Sequence, residues 1–222
     1  NGSDGNFSFS PGVNITNPSG AAFLVSGGGG TISYAGSISK NNAGRSVDIQ
    51  SRTGGSVTMS GNLSSTGTST GINVSSCTGG TVTFSGSTKT INTGANTAVT
   101  LSNNSGATIN FTGGGLAITT TSGTGFDATG GATAVTVQGT GNTISSTTGT
   151  ALNVNATTIG ASGLTFQSIS ANGAANGIIL NNTGNSAGLT VTGTGSAGSG
   201  GTIQNCTGAG VSLATTSNVS LS

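Results

Sequence analysis

Seven charged side chains carry most of the acid–base chemistry that this sequence of 222 residues can offer. The acids are Asp4, Asp48 and Asp127, and the bases are Lys40, Arg45, Arg52 and Lys89. Enzymes that hydrolyse polysaccharides use carboxylates about 5 to 9.5 Å apart, so two of these Asp residues would have to meet in the folded chain.

Four of the seven charges, Lys40, Arg45, Asp48 and Arg52, fall within 13 residues. One interpretation is a small site for an anionic ligand or a sugar. The simpler interpretation is a solvated corner with a weak pair between Arg45 and Asp48, worth at most about 1 kcal/mol. We expect the solvated corner.

The sequence offers few residues that could bind a metal or a cofactor. Cys77 and Cys206 without any His cannot close a tetrahedral zinc site, and the many Gly-Gly pairs lack the Asp residues of calcium-binding repeats. We expect no metal and no cofactor, and two free cysteines that fill corners.

The elements that would position these residues follow from a repeat. TGGSVTMSGN (residues 53–62) returns as TGGTVTFSGS (residues 78–87), and its apolar-x-apolar pair recurs at intervals of 25 to 30 residues. The pairs are Phe7/Phe9, Ile32/Tyr34, Val57/Met59, Val82/Phe84, Ile109/Phe111, Val135/Val137, Leu164/Phe166, Leu189/Val191 and Val219/Leu221. This alternation predicts a half-buried strand in each copy.

Two further strands fit into each period, separated by Gly, Asn and Ser. The second passes through Val13/Ile15, Ile38, Leu63, Ile91, Leu116/Ile118, Ile144, Ile169 and Ile203. The third passes through Ala22/Leu24, Val47/Ile49, Ile72/Val74, Val99/Leu101, Phe126/Ala128, Leu152/Val154, Ile178/Leu180 and Val211/Leu213.

The spacing predicts an all-β fold: a single-stranded parallel β-helix, or β-solenoid, with three strands per rung and about eight rungs of ~25 residues. We expect residues 1–222 to form one such domain, with almost no helix. Ile32, Val57, Val82 and Ile109 should stack in one column. Corner loops near residues 157–163 and 193–201 should absorb the extra residues of longer periods.

This arrangement separates the carboxylates. Asp48 and Asp127 take equivalent outward positions on third strands, with Asn73 and Thr100 between them, so they should lie roughly 14 Å apart at ~4.8 Å per rung. That is too wide for a glycosidase pair.

Composition limits the partners. With a formal net charge of +1 and no run of 18 apolar residues, the chain has no basic cluster for nucleic acid and no segment for membrane insertion. The apolar alternation extends to both ends of the sequence, so we expect a segment of a longer chain whose end rungs pair with neighbouring rungs or with copies of itself.

The rungs TVTFSG, GINVSS, GIILNNTG and GLTVTGTG resemble the right-handed parallel β-helix repeats of large secreted bacterial surface proteins and adhesins. The resemblance covers essentially the whole chain. It implies a location outside the cell or at the cell surface, but the fold serves adhesins, stalks, polysaccharide lyases and phage spikes alike.

The outer surface of the first strands carries two columns of small polar residues. The candidate binding residues in them are Thr31, Ser33, Ser56, Thr58, Thr81, Thr83, Thr108, Thr136, Thr165 and Thr190. Such Thr-x-Thr arrays resemble those of ice-binding β-solenoids, although hydroxyl ladders also stabilise ordinary parallel sheets.

Our first hypothesis is a non-catalytic structural solenoid: an adhesin shaft, a stalk or a filament subunit outside the cell. The alternative is a module that binds a surface or a carbohydrate, ice included, through the Thr/Ser columns. A polysaccharide-active enzyme is the third hypothesis.

Overall fold

The structure, a computed structural model, describes residues 4–222, which form β-strands and no helix. The chain coils into a parallel β-solenoid of about eight turns with three strands per turn. The predicted fold class is therefore confirmed.

The first strands of successive turns pair with one another along the whole coil. They are β1 (Phe7–Phe9), β4 (Thr31–Tyr34), β7 (Thr53–Met59), β10 (Gly79–Phe84), the ends of β12 (Val99–Phe111) and β14 (Phe126–Val137), β17 (Ile159–Phe166), β20 (Leu189–Val191) and β23 (Ser220–Leu221).

The second strands form a separate eight-stranded sheet. They are β2 (Ile15–Thr16), β5 (Ile38–Lys40), β8 (Leu63–Ser65), β11 (Lys89–Gly94), β13 (Leu116–Thr120), β15 (Thr143–Ser146), β18 (Ser168–Asn172) and β21 (Ile203–Gln204).

The third strands join the first-strand sheet because β12 and β14 run through the corner between them. They are β3 (Phe23–Ser26), β6 (Val47–Gln50), β9 (Ile72–Ser75), the beginnings of β12 and β14, β16 (Leu152–Asn155), β19 (Ile178–Asn181) and β22 (Val211–Ala214).

The core consists of side chains stacked on their equivalents in the next turn. Val82 pairs with Val57 on one side and Ile109 on the other, and it is 2% exposed. Phe84 and Phe111 stack with ring centroids 4.7 Å apart and an angle of 13° between their planes. The predicted column is confirmed.

The predicted register of the third strand in the first turn is wrong. On the third strand of the first turn, Phe23 and Val25 face inward, not Ala22 and Leu24, and Leu24 is 59% exposed. Since side chains alternate along a strand, a shift of one residue exchanges the two faces. The Phe23 ring fixes this register by packing against Phe9 and Tyr34.

Both predicted sites of insertion hold extra residues, in different forms. Residues 193–201 form a loop of turns and bends. Near residue 160 the insertion is a bulge inside β17: Ile159 pairs with Val135 and Leu164 with Val137, so residues 160–163 fall outside the ladder. The expected pairing of Leu164 with Val135 is therefore wrong, since Leu164 pairs with Val137.

A single left-handed residue turns the chain after each third strand. Residues with φ between 47° and 56° stand there in most turns: Ser51, Ser76, Asn103, Ala156, Asn182 and Thr215. The residue that follows then faces the interior, and the buried examples are Arg52, Cys77, Asn104, Thr157 and Thr183.

Ala156 is the residue of this set that has no polar side chain to hydrogen-bond to the nearby backbone. A left-handed conformation costs an Ala roughly 1–2 kcal/mol, which Gly avoids at the expense of more entropy in the unfolded chain. We expect Ala156→Gly to raise the free energy of unfolding by about 1 kcal/mol in urea titrations. Ala117→Gly within β13 is the control and should lower it by about 0.5–1 kcal/mol. If both substitutions lowered the free energy of unfolding equally, the cost assigned to the left-handed conformation of Ala156 would be contradicted.

Candidate functional site

The outward residues of the first strands, here called the first-strand face, form two columns in unbroken register over four turns. One column is Thr31, Ser56, Thr81 and Thr108, and the other is Ser33, Thr58, Thr83 and Asn110. Parallel-strand geometry spaces them by ~4.8 Å across turns and by roughly 6.6 Å along a strand. Seven of the eight are half-buried and Thr31 is exposed, so the hydroxyls form a regular array at the surface.

The array ends at the fifth turn of the ladder. Ala134 succeeds Thr108, and Thr136 succeeds Asn110. Thr136 is only 5% exposed: its hydroxyl donates to Asn110 Oδ1 at 2.7 Å and accepts from Gln138 Nε2 at 3.0 Å. Gly160 lies over it, since a Cβ on Gly160 would come within 2.8 Å of Thr136 Cγ2. Thr136 is therefore covered by the bulge of β17.

Thr165 and Thr190 form a second, separate piece of the face. They pair with each other, and Thr190 pairs with Ser220, but the bulge in β17 disconnects them from Thr136. The column beside them holds Gly163 and Gly188 where the earlier turns have Thr or Ser. Of the ten predicted residues, seven thus lie in the flat array, Thr165 and Thr190 form a shorter segment, and Thr136 is covered.

The outward carboxylates occupy the predicted column of third strands. Asp48 pairs with Asn73, Asn73 with Thr100, and Thr100 with Asp127, which places three turns between the two Asp residues. At ~4.8 Å per turn they lie roughly 14 Å apart.

Each carboxylate is held by amide side chains. Asp48 accepts from Gln50 Nε2 at 2.7 Å and from Asn73 Nδ2 at 2.8 Å, and Asp127 accepts from Asn153 Nδ2 at 2.7 Å. Burial raises the pKa of Asp127, and the hydrogen bond from Asn153 opposes that shift. Both Asp side chains belong to amide ladders along the sheet.

The expected solvated corner around Arg45 and Asp48 is wrong for two of its cations. Lys40 and Arg52 are each 1% exposed. Lys40 Nζ donates to Pro18 O at 2.7 Å and Asn42 Oδ1 at 2.6 Å, and Arg52 donates to the carbonyls of Gly27 at 2.6 Å, Gly54 at 3.2 Å and Gly30. Arg45 donates to Thr70 O at 2.6 Å.

Lys89 is the third buried cation, at 2% exposure. It takes the inward position between Leu63 and Leu116, and its ammonium donates to the carbonyls of Thr112 at 3.0 Å, Gly114 at 2.7 Å and Gly86. Burial lowers the pKa of Lys89 to about 8.

The three buried cations serve three different corners of the coil. Lys89 caps carbonyls between first and second strands, Lys40 between second and third, and Arg52 between third and first. Corner carbonyls face inward where no ladder partner is available, and a buried acceptor left alone would cost about 1–3 kcal/mol. The burial of Lys40 and Arg52 was missed from sequence because the local charge density suggested a surface patch.

Their burial changes the charge that the surface presents. Arg45 remains as the one cation among the seven charged residues that is not buried, against Asp4, Asp48 and Asp127. The surface is weakly acidic, although the formal net charge of the chain is +1.

Cys77 is buried, Cys206 is half-buried, and both are free thiols. Burial raises the pKa of Cys77. Among residues 4–222, no three side chains of His, Cys, Asp or Glu are grouped as a metal site would require. Nor does this part of the chain contain a helix long and apolar enough to cross a membrane.

Comparison of the chain with protein-family models, with curated proteins and with solved structures finds no match.

The buried Lys89 should make the free energy of unfolding depend on pH in the alkaline range. The folded state releases the Lys89 proton near pH 8 and the unfolded state near its ordinary pKa of 10.5, so the free energy of unfolding should rise between these values. The rise is about 3 kcal/mol at most. The measurement is the difference in the free energy of unfolding between the parent and Lys89→Met, by chemical denaturation from pH 7 to 11. Tyr34 and Cys77 titrate in both proteins, so their contributions cancel in this difference. A flat difference would show that the folded-state pKa is not lowered.

Proposed function

We propose that this chain is a non-catalytic structural β-solenoid: the shaft of an adhesin, a stalk, or the subunit of a filament. The observation that carries the proposal is the way the interior is sealed. Stacked apolar columns run from turn to turn, and Lys40, Arg52 and Lys89 cap the corner carbonyls from inside. The result is a rod whose stability rests on buried contacts.

The proposed location outside the cell, or at its surface, rests on the resemblance to repeats of large secreted bacterial surface proteins and adhesins. A rod with few surface charges suits that setting, since its packing changes little with salt or moderate pH.

The proposed partners are further solenoid turns, in the same polypeptide or in copies of this chain arranged end to end. Exposed large apolar side chains are found in the first and last turns: Phe7, Phe9, Val13, Leu24, Val211, Leu213 and Leu221. Stacking another turn on either end would cover the inward-facing members of this set and pair the edge strands.

The rod proposal predicts insensitivity to salt. Because buried contacts carry the stability, the free energy of unfolding should change by less than about 0.5 kcal/mol between about 0.05 and 1 M NaCl. Urea titrations at several salt concentrations would measure this. A loss of several kcal/mol at high salt would mean that surface ion pairs carry the fold.

The enzyme hypothesis is tested in parallel by replacing Asp48 and Asp127 together with Asn. Asn keeps the shape of each side chain and one acceptor oxygen, and Gln50 can turn its amide to accept from the new NH2 group at position 48, so the variant should remain folded. Neither parent nor variant should release sugar ends from a panel of polysaccharides. Cleavage by the parent that the variant loses would overturn the non-catalytic assignment.

A second candidate is binding to an ordered surface such as ice through the first-strand face. The flat hydroxyl array from Thr31 to Asn110 supports it, because two columns keep one register over four turns. A rigid periodic array pays little ordering entropy when it meets a periodic surface.

Inhibition of ice recrystallisation tests this candidate. We expect the parent to inhibit, and Thr58→Tyr with Thr83→Tyr to abolish inhibition because the rings break the flat surface. Thr100→Tyr, on the outward column of third strands, should leave it intact. A parent that behaves like buffer would reject the candidate.

A further inference from the structure

The first-strand face turns from flat to recessed between β17 and β20. A cleft of about 320 Å³ opens there. Its floor carries Gly163 and Gly188 beside Thr165 and Thr190, and its walls come from the bulge of β17 and from the segment that precedes β20, which contributes Ser186 and Ala187.

Glycines replace Thr and Ser in the column beside Thr165 and Thr190. A Cβ on Gly188 would lie 2.1 Å from Ser217 O and 2.2 Å from Asn218 O, so the close approach of the next turn requires glycine there. Gly163 has φ of 72°, which also favours glycine. Glycine at these positions therefore lets the backbone of the neighbouring turn approach the face, and the recess lies beside this column, where Thr165 and Thr190 line it.

The chemistry of the lining is neutral and rich in hydroxyl groups. Ser162, Ser186 and Thr190 are exposed, Thr165 is half-buried, and Asn218 adds an amide. Hydroxyls donate and accept with equal ease, and the amide does both through different atoms. No charged side chain lines the cleft. An ionic ligand would therefore lose hydration without gaining a partner, whereas a polyol could exchange water for protein hydroxyls.

We propose that this cleft binds one residue of a neutral sugar. The proposal narrows the second candidate function, binding through the first-strand face, to a particular place and ligand class. It is independent of the rod proposal and of the ice test, since the flat array lies on other turns. A shallow cleft with no aromatic side chain in its lining predicts weak binding, with a Kd on the order of 10 mM for a disaccharide.

The test is a chemical-shift titration of the isotope-labelled protein with cellobiose, maltose and N,N′-diacetylchitobiose. At least one of them should move the amide signals of residues 161–165 and 186–190 with one saturable curve. Glucuronate and glucosamine, as charged controls, should not move them.

Two variants locate the effect. Thr165→Val with Thr190→Val keeps the shape but removes two hydroxyls, and it should raise the Kd by about tenfold, at a few-fold per hydrogen bond. Ala187→Leu should abolish binding by filling the cleft. The matched control, Thr58→Val with Thr83→Val on the flat array, should leave the Kd unchanged.

Failure of the cleft proposal can be distinguished from failure of the ice-binding candidate. Absence of shifts with all three sugars overturns the proposal, and so do shifts spread over the whole surface or binding that Ala187→Leu retains. If sugar binding fails while ice recrystallisation is inhibited, the face still binds an ordered surface and only the cleft assignment falls.

Discussion

The parallel ladder between successive turns is the interaction on which everything else in this molecule depends. Because each turn pairs with the next at one strand spacing, a side chain in one turn lies on its equivalent in the next. Val57, Val82 and Ile109 show this for the core, and Thr58, Thr83 and Asn110 for the surface. A narrow interior can therefore be filled by a short list of residue types, and a chain with 43 glycines can still bury a continuous core.

The same stacking creates a difficulty at the corners, where backbone carbonyls turn inward without ladder partners. Lys40, Arg52 and Lys89 resolve it with side chains long enough to reach two or three acceptors each. Their acceptors are backbone carbonyls and one side-chain amide, so dipoles take the place of a counter-ion. Burial still lowers the pKa of Lys89 to about 8.

Much of the fold could be predicted because apolar alternation and repeat length report burial directly. The first-strand columns, the spacing of Asp48 and Asp127 and the location of both insertions follow from counting residues. Three features could not be predicted by counting residues. Leu24 and Phe23 are both apolar, and only contacts with Phe9 and Tyr34 choose between them. Lys89 is polar and would be expected to face outward, but its pairing with Leu63 places it on the inward side of the strand. The covering of Thr136 depends on the path of a bulge in the next turn.

That bulge also determines what the first-strand face can do. Residues 160–163 interrupt the ladder, so the turns before and after them need not share one surface. Up to β12, Thr and Ser fill both columns except at Asn110, and the face is flat. After it, Gly163 and Gly188 replace the polar side chains of one column, and Thr165 and Thr190 line a recess. A single rule of stacking thus yields two surfaces. Since neither needs a charged residue, a rod built for stability can present both without altering its core.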